Sequence, residues 1–215
     1  MRVLVIRLGA FGDFVQSFAP FAAIRATHPG ADITLLTTAP FAGLARASPW
    51  FDRVEIDARP SWWNLPGLAR LRRQLAGFDL VYDLQTSGRS SRYFALAGRP
   101  PWSGIAPGCS LPHANPARDA MHTKERQREQ LQMAGISHFP PPDLDQIRAD
   151  WLWAVEQTPT KEFDRYRGLT IAAHRGQVLG ASDRPLHLQL DLARRLTVHP
   201  EQLVMAHIEP SLWSA

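Results

Sequence analysis

From its second residue the chain sets short, almost wholly apolar runs against longer amphipathic ones, and this alternation limits the available folds more than composition does. "RVLVIRL" (2–8), "DITLLTT" (32–38), "DRVEID" (52–57) and "FDLVYDLQ" (78–85) read as strands. Residues 13–29, 40–48, 65–77 and 88–98 carry helical spacing, and "WSGIAP" (102–107) is a further strand-like run. Strands joined through helices by short links pair in parallel, and a parallel sheet is covered by helices on both faces. The expected fold class is therefore α/β, with a doubly wound, Rossmann-type parallel sheet in the N-terminal part. Pro20 lies inside the first helical stretch and is expected to kink or break it.

Ligands of such sheets gather at the carboxyl ends of the strands, and two stretches reach that rim. In "RLGAFGDF" (7–14), Gly9 and Gly12 let the backbone turn sharply and approach a bound molecule. Asp13 brings a lone carboxylate to the point where strand hands over to helix. In "DLQTSGRSSR" (83–92), Gln85, Thr86 and Ser87 are neutral hydrogen-bonding groups, and Arg89 and Arg92 are cations near a helix start. Together they make one candidate polar site with an acid and several anion binders. The competing reading makes Asp13 an N-cap and the arginines a solvated helix face.

A net charge of +4 and a pI near 9.8 favour anionic partners without choosing among them. Nucleic acid is not expected, because cations and acids are interleaved and no reading motif occurs. The single cysteine, Cys109, excludes a disulfide framework and a cysteine-based zinc site, and it points to a reducing compartment. Its plain reading is a small buried or loop thiol. The eight histidines are scattered without metal-ligand spacing, so no metal is expected. No long apolar stretch occurs, and the expected location is the cytoplasm. "PSWWNLPGLARLRR" (60–73) is the candidate for peripheral contact with the inner membrane surface; otherwise Trp62 and Trp63 pack a helix onto the sheet.

"MRVLVIRLGAFGDFVQSFAPFAAIR", "HPGADITLLTTAPFAGLARASPWFDRVEID" and "GFDLVYDLQTSGRSSRYFAL" resemble, in that order, the N-terminal half of glycosyltransferase family 9, the bacterial lipopolysaccharide heptosyltransferases. "HTKERQREQLQMAGI" (122–136) is similar to the helix near the end of that family's first domain. The resemblance implies a GT-B-like fold, in which two doubly wound domains face each other. Here it implies an acceptor-side domain over 1–150 and a short, incomplete α/β donor-side segment over 151–215. It further implies an inverting transfer from a nucleotide-sugar donor such as ADP-heptose to an anionic glycan or lipopolysaccharide precursor, without metal or other cofactor. On the same resemblance Asp13 is the general base, and Gln85, Ser87, Arg89, Arg92, His122 and Arg126 bind the acceptor. Gly9 and Gly12 are assigned to the donor. So are Asp183, Pro185 and His187 of "QVLGASDRPLHLQLDLA" (177–193), where Arg184 stands in place of the family's glycine.

Two other functions are weighed. One is a catalytically silent relative that acts as a glycan-binding or scaffold module. The other, a general dinucleotide-binding protein, lacks the G-x-G-x-x-G turn and its following acid. A short second half would leave sheet edges to be covered by another copy of the chain, so a homo-oligomer is a further expectation.

Overall fold

The computed structural model describes residues 1–139, 144–196 and 200–208. It divides into two units, Met1–Arg46 with Trp50–Pro140, and Ala47–Pro49 with Pro141–Ala215. In the first unit, strand β1 (Arg2–Ile6) buries Val3, Leu4, Val5 and Ile6 completely, which only a sheet covered on both faces permits. The chain continues through α1 (Phe11–Gln16), α2 (Phe18–Thr27), β2 (Asp32–Thr37), α3 (Ala39–Ala47) and β3 (Arg53–Ile56). Then come α4 (Leu65–Leu75), β4 (Leu80–Asp83), α5 (Gly88–Leu96), β5 (Trp102–Gly104), β6 (Leu111–Pro112) and α6 (Thr123–Met133).

All six strands are parallel, in the order β3-β2-β1-β4-β5-β6. This is the doubly wound order expected from the alternation, and its switch point lies between β1 and β4. Leu4 and Ile6 point to the face where Leu71 and Leu75 of α4 meet Tyr93 and Phe94 of α5 and Trp102 of β5. On the other face α1, α2 and α6 pack together. Phe18 and Phe21 of α2 meet Trp50, and Phe21 also meets Phe51 edge-on at 4.9 Å. Cys109 is buried, in line with its plain reading.

The expected single helix over 13–29 is two helices, and the break falls at Ser17 rather than at Pro20. Proline lacks an N–H and crowds the carbonyl four residues back, so Pro20 is tolerated where it stands, in the first turn of α2. The two tryptophans part company. Trp62 packs against the α4–α5 core as expected of a core aromatic, whereas Trp63 is 90% exposed.

The second unit contains α7 (Leu144–Gln157), β7 (Thr170–His174), β8 (Gln177–Ser182), α8 (Pro185–Leu196) and β9 (Val204–His207). Its three-stranded sheet, β8-β7-β9, is antiparallel. A two-residue turn, Arg175–Gly176 with φ of 51° and 67°, joins β7 to β8, as the twist of a tight hairpin requires. Ile171 and Ala173 face Ala154 of α7, and Ala172 faces Leu192 and Ala193 of α8. This α/β unit is smaller than, and wound differently from, the doubly wound second domain implied by the resemblance. The part of the C-terminal stretch beyond Ile208 lies outside the described residues. No helix among the described residues is long and apolar enough to cross a membrane.

Candidate functional site

The switch point of the first unit is where the crossovers leaving β1 and β4 run to opposite sides, the position beyond whose strand ends doubly wound sheets hold their ligands. The loop after β1 is held there from several directions. Leu8 donates its N–H to Gln85 Oε1 at 2.9 Å, and its carbonyl accepts from Thr38 Oγ1 at 3.0 Å and Arg59 Nη2 at 2.9 Å. Gly9 has φ of +148°, a conformation that side-chain-bearing residues rarely adopt. An added Cβ would come 3.4 Å from the Phe41 ring, so the glycine serves backbone geometry more than space. Gly12 has nothing within 4 Å of an added Cβ and leaves open room beside Asp13.

Asp13 stands in the first turn of α1 but does not cap it, since the N-cap is Ala10 and carries no side-chain hydrogen bond. The competing capping reading is thereby set aside. One carboxylate oxygen, Oδ2, lies 3.2 Å from Arg7 Nη2, while Thr123 Oγ1 donates to Oδ1 at 3.4 Å. The Asp13 side chain is 41% exposed. It is therefore oriented from two sides and open on a third, the arrangement a proton acceptor needs.

Arg7 is 2% exposed and donates through Nη1 to the Leu84 carbonyl at 2.7 Å. Burial draws its guanidinium below the ordinary arginine value, and the neighbouring Asp13 opposes this. Arg7 reads in the sequence only as the residue that ends an apolar run. A cation at the end of a strand buried on both faces needs a carboxylate or carbonyl partner, and that rule was the available signal.

Helix α6 closes the site from the side. His122 is its N-cap, with a ring nitrogen accepting from Lys124 N at 3.4 Å, and Thr123 follows it to Asp13. Arg126 lies one turn further on, near enough to Arg7 for their like charges to be felt. Gln127 Nε2 donates to Ser17 Oγ at 3.0 Å, and Gln130 Nε2 to the Asp83 carbonyl at 3.1 Å and Ser103 Oγ at 3.2 Å. A helix that reads as a polar surface element thus uses a buried glutamine face to tie α1 to β4 and β5.

The residues after β4 divide between holding the site and facing it. Gln85 is committed to the β1 loop. Ser87 is the N-cap of α5 and shares a capping box with Ser90, so its hydroxyl is engaged in the helix start. Arg89 donates to Pro60 O and Tyr93 Oη, and Tyr93 Oη donates to Asp57 Oδ2 at 2.6 Å. Arg89 and Arg92 both stack on Trp62, at 5.4 and 5.1 Å. Thr86 has φ of 45° and Arg59 φ of 48°, left-handed conformations held by non-glycine residues at this same rim.

Asp83 is fully buried at the end of β4, where Oδ1 accepts from Gln85 N at 3.1 Å and Thr86 N at 3.0 Å. Burial raises its pKa to about 6, outweighing the hydrogen bonds of Thr86, Ser90 and Gln85 and the nearby Arg7 cation. The folded chain therefore holds this proton more tightly than the unfolded one. The stability it contributes is present below about pH 4 and is lost as pH rises through about 6, a change of up to about 3 kcal/mol. Asp83→Asn cannot ionise, so its stability relative to the parent should rise by that amount between about pH 4 and about pH 7. Chemical denaturation of both proteins at the two pH values measures this; a difference independent of pH would contradict it.

The other assigned residues belong to the second unit. Asp183 is exposed just after β8, Pro185 opens α8, and His187 is exposed in its first turn. Ser182 Oγ donates to Asp183 Oδ1 at 3.4 Å and accepts from Arg184 N at 2.9 Å. The same unit contains a buried pair that carries no sequence signature: Asp150 Oδ2 lies 3.3 Å from His174 Nδ1, and Asp150 Oδ1 accepts from Gly176 N. Among the described residues no group of three or more histidine, cysteine, aspartate or glutamate side chains could hold a metal.

No protein-family model matches the chain. A Haemophilus influenzae protein named "Putative glycosyltransferase" is 38% identical over 58 residues, which are 27% of this chain and 17% of that protein. Among solved structures, the glycosyl transferase family 9 protein of Veillonella parvula aligns over 74% of this chain and 50% of its own length, with a TM-score of 0.57 and 16% identity. The E. coli heptosyltransferase WaaC with ADP aligns over 66% of this chain and 49% of its own, with a TM-score of 0.50 and 21% identity. The E. coli ADP-heptose lps heptosyltransferase II aligns over 75% and 52%, with a TM-score of 0.50 and 15% identity. The chain thus spans about half the length of these structures. Likeness at such identity is a likeness of fold alone, and it extends over about half of each of these glycosyltransferase structures. These neighbours fit the resemblance to glycosyltransferase family 9.

Proposed function

We propose that the chain acts in an inverting glycosyl transfer of the heptosyltransferase type, with the first unit receiving the acceptor glycan and Asp13 as the general base. The observation that carries this reading is the Asp13 carboxylate: oriented by Arg7 and Thr123, not capping its own helix, and partly open at the switch point. In such a step the acceptor hydroxyl oxygen bonds to the anomeric carbon while its proton passes to Asp13. The bond from that carbon to the diphosphate breaks, and the electron pair leaves with the diphosphate. Arg89, Arg92, Arg126 and His122 are the groups of this unit that would meet carboxylates or phosphates of an anionic acceptor, such as a lipopolysaccharide precursor.

The neighbouring WaaC structures were solved with ADP and with ADP-2-deoxy-2-fluoro heptose. They support a nucleotide-sugar donor for this chain, with Asp183, Pro185 and His187 as its candidate contacts. A second reading, a glycan-binding or scaffold module without transfer, is favoured by the antiparallel sheet of the second unit. Thermal unfolding with ADP and with ADP-heptose separates the two. At a ligand concentration of about 100 Kd, a competent donor site stabilises the fold by about 2.7 kcal/mol, a midpoint rise of about 5–10 °C for a chain of this size. No rise at saturation, together with retained glycan binding, would favour the module.

A further inference from the structure

The second unit holds a buried acid and base that the proposed transfer does not use. Asp150 of α7 and His174 at the end of β7 have side chains 1% and 10% exposed, with Asp150 Oδ2 3.3 Å from His174 Nδ1. The other carboxylate oxygen accepts from Gly176 N at 2.9 Å, so Asp150 fastens the β7–β8 turn to α7 and also fixes the imidazole. Fastening the turn needs only the bond to Gly176. The histidine adds a second ring nitrogen, Nε2, which has no protein partner among the described residues.

His174 lines a cavity of about 290 Å³ with Arg175, Gln177, Leu179 and Leu196, none of them an acid. The side chains of Arg175 and Gln177 likewise make no hydrogen bond or ion pair among the described residues. Gln177 begins β8 and Asp183 follows its other end, roughly 15–20 Å away along the strand. The cavity is therefore separate from the candidate donor contacts.

We propose that this cavity binds a small phosphate monoester. Arg175, Gln177 and the His174 ring offer donors to its three free oxygens, and arginine's planar fork suits phosphate. A carboxylate has only two oxygens to answer them. With Nδ1 directed at Asp150, Nε2 donates when the ring is an imidazolium, and anions on both sides balance that charge. Leu179 and Leu196 give the cavity an apolar wall, which an inorganic ion would not use. The inference concerns the second unit alone and is independent of the transfer reading.

Calorimetric titration of the full chain with phenyl phosphate tests it, with benzoate carrying the same ring on a carboxylate. Phenyl phosphate should bind at least about tenfold more tightly than benzoate, and more tightly than inorganic phosphate. In nitrogen-15 spectra it should move the His174 ring signals, identified by their loss in His174→Gln, toward imidazolium positions. Arg175→Asn removes the cation and keeps the turn, because asparagine accepts the left-handed conformation of residue 175 and Asn-Gly is a favoured hairpin pair. Arg175→Asn and His174→Gln should each weaken binding by about tenfold or more. If His174→Gln lowers the thermal midpoint, Arg175→Asn decides. No binding of phenyl phosphate, parental binding by Arg175→Asn, or unmoved His174 signals would overturn the proposal. Benzoate or inorganic phosphate binding as tightly as phenyl phosphate would also overturn it.

Discussion

Asp13→Asn is expected to lower the rate of sugar transfer by about 10²–10⁴-fold, the usual contribution of a positioned general base. The substitution is nearly isosteric, and the amide oxygen can still accept from Thr123. What is lost is the proton acceptor and the ion pair with Arg7. Asp13 is partly open to water but Arg7 is buried, so loss of that pair should cost about 1–3 kcal/mol of stability. The variant should therefore still fold, melt about 2–12 °C below the parent, and keep any shift produced by ADP. Transfer assays with the parent and the variant, each beside a thermal melt, provide the comparison. A variant that transfers at the parental rate would remove Asp13 from the chemistry, and one that loses fold and activity together would make it a structural residue.

The second large effect concerns Trp102, which is wholly buried in the short strand β5. Its ring lies 5.5 Å from that of Phe94, and it belongs to the cluster that joins β1 and β4 to helices α4 and α5. Gly104 makes room beside it, for an added Cβ would sit 3.0 Å from Trp102 Nε1 and 3.1 Å from Asp83 Cβ. Trp102→Ala removes the largest side chain of this core and leaves a cavity that the central sheet cannot readily close. The expected cost is about 3–5 kcal/mol, a large part of the 5–15 kcal/mol by which domains are commonly stable. Denaturant titration measures it directly. A cost below about 1 kcal/mol would mean that neighbouring side chains collapse into the space.

The parallel sheet was legible because each of its principal strands is an apolar run flanked by helical spacing, so periodicity alone implied covered faces and a rim. Asp13 and the segment after β4 could be assigned to that rim for the same reason. What the residues could not disclose were partners distant in the chain. Arg7 and Asp13 are neighbours in sequence, but the third member, Thr123, lies 110 residues from Asp13. Gln127 and Gln130 look like surface residues because amides pattern as polar, although their role is to satisfy hydrogen bonds inside. Ser87 illustrates the opposite case: a serine followed three residues later by another hydroxyl is a local capping signal, and it competed with a ligand reading at the same position. In the second unit the Arg175–Gly176 turn lets β7 and β8 pair antiparallel, and Arg-Gly is not one of the dipeptides that mark such a turn by themselves.

The glutamine face of α6 has a consequence for the order in which the molecule is made. Strands β1 to β4 and their helices leave the ribosome first and hold enough buried apolar surface to begin collapsing. The amides that brace the Asp13 loop from behind emerge only with residues 123–130. Closing contacts across so long a stretch of chain is slow compared with local helix formation. Bracing of the Asp13 loop is thus tied to translation of a segment well downstream of the carboxylate that it serves.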